Sequence, residues 1–135
     1  MVLDNEAISV LRDPHHPKHR RVLALLEAAA QRGVKRRAAV PILVPLAVRV
    51  EANWDRRKPG TINSLRPVLT DGRFDSSDAN RAAELRDLVD VSVVDATVAA
   101  TAEAAPGAAV IVTSDVGDMT ALAGHLDGTI RILRI

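Results

Sequence analysis

Val110-Ile111-Val112-Thr113-Ser114-Asp115-Val116-Gly117-Asp118-Met119 is the stretch on which the reading of this chain turns. Three β-branched aliphatic residues in a row have the character of a strand buried on both faces, and that kind of strand belongs to a parallel sheet. The run stops at Thr113-Ser114, and Asp115 and Asp118 come next, three residues apart. Two readings of these acids are open at this point. They cap and solvate the start of the next helix, or they form part of a site that holds a cation.

The surrounding chain frames the choice. A length of 135 residues suits one domain with a continuous core, so a single domain over residues 1–135 is expected. No cysteine is present, which excludes disulfides and thiol chemistry and suits a reducing, cytoplasmic setting. Asp4 and Glu6 stand where a basic leader would begin, so no signal peptide is expected. The longest apolar stretch, Ala38 to Val48, falls short of the roughly 20 residues a bilayer needs, and Pro41 and Pro45 interrupt it. No membrane association is expected. Eighteen Lys and Arg against 17 Asp and Glu give a formal charge of +1, so any polyanion must be held by local patches. One Trp, one Phe and no Tyr argue against an aromatic platform for single-stranded bases.

Around the quoted stretch, Ala108 to Val112 is a strand, a helix runs on through Leu122, and Thr129 to Ile135 is a closing strand. Upstream, Asp95 to Ala105 reads as a helix of very small residues stopped by Pro106-Gly107. Ser77 is the expected N-cap of a helix with Ala82, Leu85, Leu88 and Val89 inside. At the N-terminus, Val2-Leu3 end a short strand, and Ala7, Ile8 and Leu11 make a helix that finishes near Asp13-Pro14. From Pro17, Val22, Leu25, Leu26 and Ala29 keep helical spacing until Gly33 supplies a stop. Ala38 to Val44 is a strand candidate. Pro45 then opens a helix with Leu46, Val50 and Trp54 on one face, ended by Pro59-Gly60. Thr61 to Leu69 reads as a short helix and Asp71-Gly72 as a turn. Strands separated by helical patterns of this length indicate crossover units. The expected fold is therefore a three-layer α/β domain, a mainly parallel central sheet with helices on both faces.

Open parallel sheets bind ligands outside the carboxyl ends of their strands. Asp4 and Asp115 stand at two such ends, Glu51 lies on the third helix, and Asp95 is in the first turn of the alanine-rich one. Carboxylates drawn together repel unless a cation joins them, and magnesium or manganese prefers oxygen ligands and retained waters. Taken singly, each acid has an ordinary reading: Asp4 as strand-end solvation, Glu51 as a helix-surface charge, Asp95 as a first-turn acid, Asp115 and Asp118 as a cap and its neighbour. His15 and His19 have i, i+4 spacing, but Pro17 intervenes and no cysteine completes a zinc set, so a solvated loop is the better reading there. Arg56, Arg57 and Lys58, placed one to two turns beyond Glu51 on the same helix, are candidate contacts for RNA phosphates.

Together, MVLDNEAIS at the start, VPLAVRVE ending at Glu51, VVDATVAATA around Asp95 and VTSDVGDM around Asp115 resemble a PIN-domain ribonuclease of the VapC toxin family. The resemblance runs nearly end to end and implies a PIN-like fold. It implies an Mg2+- or Mn2+-dependent endoribonuclease, often a homodimer, held in check by a small cognate antitoxin. The catalytic quartet would be Asp4, Glu51, Asp95 and Asp115, with the metal on Asp4, Asp95, Asp115 and Asp118, and with Thr113, Ser114 and Glu6 in support. Asn5-Glu6 departs from the family, where a small hydroxyl residue commonly comes after the first Asp. The expected chemistry is attack of a metal-activated water on an RNA phosphodiester. Two alternatives remain beside it. One is a catalytically weak or inactive PIN-like module that binds RNA or protein. The other is an Mg-dependent phosphoryl-transfer domain of the receiver or phosphatase kind; the absence of any lysine after Lys58 disfavours a receiver, and Asp4-Asn5-Glu6 offers Glu where a phosphatase wants Asp-x-Asp.

Overall fold

The structure is a computed structural model that describes residues 1–36 and 40–135, with residues 34–36 and 61 described by their backbone. Its elements alternate as the crossover pattern requires. They are β1 (Val2–Leu3), α1 (Asn5–Arg12), α2 (His19–Arg36), β2 (Ile42–Val44), α3 (Leu46–Glu51), a 3-10 turn (Thr61–Leu65), β3 (Leu69–Asp71), α4 (Ser76–Leu88), α5 (Val93–Glu103), β4 (Ala109–Thr113), α6 (Val116–Ala123) and β5 (Ile130–Arg134). The strands pair in the order β3-β2-β1-β4-β5, every pair parallel. Helices cover the sheet in three layers, as expected.

The sheet order positions the site. The chain lays β2 and then β3 to one side of β1, then returns to place β4 on the other side, so strand order reverses between β1 and β4. Crevices open at such reversals because the crossover helices leave in opposite directions. Leu3 pairs with Val112, and the Asp4 N–H donates to the Val112 carbonyl at 3.1 Å. The two strands therefore end side by side, and the loops leaving them face each other across the crevice.

The core is aliphatic. Val2, Leu3, Ile111 and Val112 are fully buried in the two central strands, backed by Ile8, Leu11, Leu85, Met119 and Leu122. Helix α5 buries seven consecutive residues, Ala96 to Ala102, against α3, α4, α6, β1 and β4. Only small side chains permit contact on so many sides. Its two buried threonines send their hydroxyls back to carbonyls one turn earlier, Thr97 to Val93 and Thr101 to Thr97, each at 2.8 Å, so neither hydroxyl is stranded.

Several local expectations are corrected. Helix α2 does not stop at Gly33 but runs to Arg36, because a glycine weakens a helix without ending it when neither left-handed φ nor a proline comes at once. The strand expected from Ala38 narrows to Ile42–Val44; Ala38 and Ala39 lie outside the described residues. The segment Thr61 to Leu69 is a 3-10 turn that gives way to β3, a strand missed in the sequence because three residues carry almost no periodicity. Asp71 ends that strand, and the Gly72 N–H extends its ladder to the Val44 carbonyl at 2.8 Å. A Cβ on Gly72 would lie 3.0 Å from Thr101 Cγ2 and 3.4 Å from the Pro45 backbone, so glycine is what lets this strand end approach α5. Asp75, not Ser77, caps α4, in a reciprocal box with Asp78, and Leu88 at its far end is exposed. Helix α5 starts two residues before Asp95, at a Ser92 cap.

Helix α3 differs most. It spans six residues and buries Val48, while Leu46 and Val50 face outward. Asn53, with φ of 48°, turns the chain out of helical geometry, so buried Trp54 belongs to the loop beyond the helix.

Candidate functional site

Asp4 is the innermost acid. It comes directly after β1, is 7% exposed, and caps α1 by accepting the Ala7 N–H at 2.8 Å. Burial pushes its carboxyl above the ordinary value; hydrogen bonds from the Thr113 hydroxyl and from the Ala7 and Ser114 N–H groups pull the other way, and the nearby Glu6 charge adds to the rise. Thr113, fully buried at the end of β4, also accepts the Asp115 N–H on its Oγ1 at 2.9 Å. One hydroxyl thus ties the acid after β1 to the backbone of the acid after β4.

Asp115 is exposed and caps α6, its Oδ1 accepting the Asp118 N–H at 3.1 Å. The ordinary reading of the quoted stretch is geometrically true: both strand-end acids are helix caps. A cap occupies one carboxylate oxygen and leaves the other free, so capping and metal binding are compatible. Asp118 stands one turn on. Its carboxyl is pushed above the ordinary value by the Asp115 charge first, then by desolvation, then by Asp95 and Asp90. These four carboxylates from the α4–α5 junction, α5 and α6 therefore share one neighbourhood. Asp95 is half-buried at the first turn of α5, where it exchanges two hydrogen bonds with Ser92: its N–H to Ser92 Oγ at 3.0 Å, and the Ser92 hydroxyl to its Oδ2 at 2.6 Å.

Glu51 is not drawn in to the same degree. It is the last residue of α3, exposed, and among the described residues no hydrogen bond or ion pair engages its side chain. Glu6, in the first turn of α1, lies 3.4 Å from Lys18 Nζ. Among the described residues no three His, Asp or Glu side chains are close enough together to hold one ion. In kind, the donors nonetheless fit a hard divalent cation. All are carboxylate oxygens, none of Asp4, Asp95, Asp115 and Asp118 is ion-paired to Lys or Arg among the described residues, and magnesium retains several waters in place of protein ligands.

The basic triplet needs correction. Arg56, Arg57 and Lys58 are on the loop after α3, not on its helix. Arg56 is drawn inward: its Nη2 donates to the Leu69 carbonyl at 2.9 Å and lies 3.2 Å from Asp71 Oδ1, and its guanidinium sits 4.9 Å from the Trp54 ring centre. Arg57 is paired with Asp55, whose carboxyl it holds down to about 2. Asp71, shared by Arg49 and Arg56, and Asp90 were missed in the sequence. Nothing in local spacing marks either one, since each acquires its role from residues far off in the chain. His19 Nδ1 lies 2.9 Å from the Val10 carbonyl, which supports a structural part for that histidine.

No protein-family model matches this chain, and no curated protein sequence does. Among solved structures it is similar to the crystal structure of FitAcB from Neisseria gonorrhoeae, with a TM-score of 0.61 and 17% identity over 96% of this chain and 95% of that one. The likeness is one of fold, an α/β domain built on a parallel central sheet. An identity this low carries the architecture alone. Asp4 and Asp115 hold the two strand ends of the parallel sheet that flank its reversal point, which is where open parallel sheets bind ligands. No described helix is long and apolar enough to cross a membrane.

Proposed function

We propose that this chain is a metal-dependent endoribonuclease of the toxin type, hydrolysing RNA phosphodiester bonds under the control of a small cognate antitoxin. The observation that carries this reading is the position of Asp4 and Asp115 directly after β1 and β4, the neighbouring strands that flank the sheet reversal, with the Asp118 carboxyl raised by the charges of Asp115 and Asp95. Asp4, Asp95, Asp115 and Asp118 would hold Mg2+ or Mn2+. Such an ion lowers the pKa of a bound water and neutralises phosphate charge. The chain's own residues do the rest. Thr113 fixes the two strand-end acids relative to each other, Ser92 orients Asp95, and the free carboxylate oxygens orient waters and accept their protons. Glu51 would approach from α3 as the outermost acid of the quartet. A homodimer in a cytoplasmic setting belongs to the same proposal.

The experiment uses the purified full chain, a labelled RNA and Mg2+ or Mn2+. Cleavage is expected, abolished by EDTA and by Asp4→Asn or Asp115→Asn. Full cleavage by both variants, or cleavage indifferent to EDTA, would overturn the mechanism. In a host cell, Asp4-dependent growth arrest relieved by a small co-encoded neighbour is the expected signature of the toxin. The exposed, unengaged position of Glu51 favours one second reading, a PIN-like module that binds RNA or protein without cutting. RNA binding with no cleavage at any divalent ion would select it.

A further inference from the structure

Helix α3 turns outward two aliphatic side chains that nothing in the described fold covers. Val50 is 80% exposed and Leu46 43%, and their i, i+4 spacing stacks them on one face. They line an open groove of about 600 Å3 together with Arg49, Trp54, Arg56 and Arg57. Single exposed aliphatics are ordinary, whereas a stacked pair on the lip of a groove marks an interaction surface.

The groove is cationic. Arg49, Arg56 and Arg57 line it against Asp55, with Asp71 paired to Arg49 and Arg56, while Lys58 lies near Asp55 and Arg66 near Arg56. Asp71 alone serves both Arg49 and Arg56, and the Nε of each has no hydrogen-bond partner. The Arg57 side chain is 90% exposed at the groove's edge and holds Asp55 through Nε and Nη2, each at 3.0 Å, which leaves its remaining N–H groups to solvent.

Three occupants can be compared on these features. Single-stranded RNA would use the cations, but Trp54 is 4% exposed, with its Nε1 committed to Asn63 at 3.0 Å, and offers no face for a base. A second copy in a two-fold contact would set the same cationic rim against itself. A protein helix with aliphatic residues along one edge and carboxylates beside them satisfies both features at once. We infer that the α3 groove docks an acidic amphipathic helix of a partner protein, its aliphatic side chains on Leu46 and Val50 and its carboxylates toward Arg57 and the neighbouring cations. This stands whether or not Asp4 and Asp115 take part in cutting RNA.

The test titrates the full chain against a labelled helical peptide with leucines at i and i+4 and glutamates on the flanks, and against the same peptide with lysines in place of glutamates, by fluorescence anisotropy. The acidic peptide is expected to bind at least about tenfold more tightly, with the difference shrinking as salt is raised. Val50→Glu and Arg57→Glu should each weaken it about tenfold or more, with thermal melts unchanged because both side chains are exposed. Equal binding of the two peptides, or binding untouched by both substitutions, overturns the inference. So does a dimer of the free chain that Val50→Glu dissociates, which would give the groove to a second copy. Displacement of the acidic peptide by a single-stranded RNA oligonucleotide, with that displacement lost in Arg57→Glu, would give it to RNA and equally overturn the inference.

Discussion

Asp4 combines two opposed demands at a single carboxyl. As the α1 cap it must accept an N–H, and as a buried acid it loses hydration when charged. With its folded pKa raised above 3.8, the native state holds its proton longer than the unfolded chain does. Stability contributed by this group therefore falls as pH rises through the interval between those two values, and the charge is a cost at pH 7. Asn keeps an acceptor for Ala7 and removes the charge. Asp4→Asn is expected to melt at or above the wild-type temperature at pH 7 in metal-free buffer while losing RNA cleavage; a melt several degrees lower would mean that the charge itself stabilises. Asp115 is exposed and its cap role passes to Asn almost intact, so Asp115→Asn should lose cleavage with a melt within about a degree or two of wild type. At this scale much was legible in the sequence. An acid straight after a buried apolar run must lie at a strand end, and a parallel sheet sends such ends to one edge. Asp71 and Asp90 were illegible because their neighbours arrive from other elements.

Elements were legible where periodicity was long. Helix α5 was marked by its alanines, and its tight fit makes an expectation: Ala99→Leu should cost about 1–3 kcal/mol through overpacking, read by denaturant unfolding. The α4–α5 pair has a polar clasp as well. Arg81 grips Glu103 with two hydrogen bonds, Nε to Oε2 at 2.7 Å and Nη2 to Oε1 at 3.1 Å, and also donates to the His125 carbonyl, while Glu103 accepts the Asp127 N–H at 2.7 Å. The Arg81 hydrogen bonds, ahead of an opposing burial effect, hold the Glu103 carboxyl below its ordinary 4.5. A depressed acid stabilises the fold above its unfolded value and loses that contribution as pH falls from about 4.5 through the folded value. Glu103→Gln is thus expected to lower stability at pH 7 by about 1–3 kcal/mol, and to flatten the wild-type decline seen in thermal melts from pH 5 to pH 3. Short elements defeated periodicity: β3 has three residues, and α3 has six. In α3 the apolar spacing of Leu46, Val50 and Trp54 suggested one inward face, but a left-handed Asn53 separates Trp54 from the helix and Val48 is the residue the core receives.

On the scale of the whole molecule, the decisive fact is the reversal of strand order between β1 and β4, which brings residues 4 and 115 together from opposite ends of the chain. If the acids of this crevice share a cation, adding Mg2+ or Mn2+ in the millimolar range should raise the thermal midpoint of the wild type, with no rise for the Asp4→Asn, Asp115→Asn double variant; binding to the native state alone has that effect. An equal rise in both would place the ion elsewhere. By itself, the sequence determined the class of fold, the aliphatic core and which strand ends carry acids, because alternation of buried strands with helices and the identity of residues at their ends are local facts. Only the tertiary structure decided which acids meet. Asp95, Asp115 and Asp118 share a neighbourhood with Asp90, Asp4 joins Asp115 through Thr113, Glu51 stays at the exposed end of α3, and Arg56 turns inward to Asp71. Such meetings depend on strand order and on where short helices end, and neither is written in the spacing of residues along the chain.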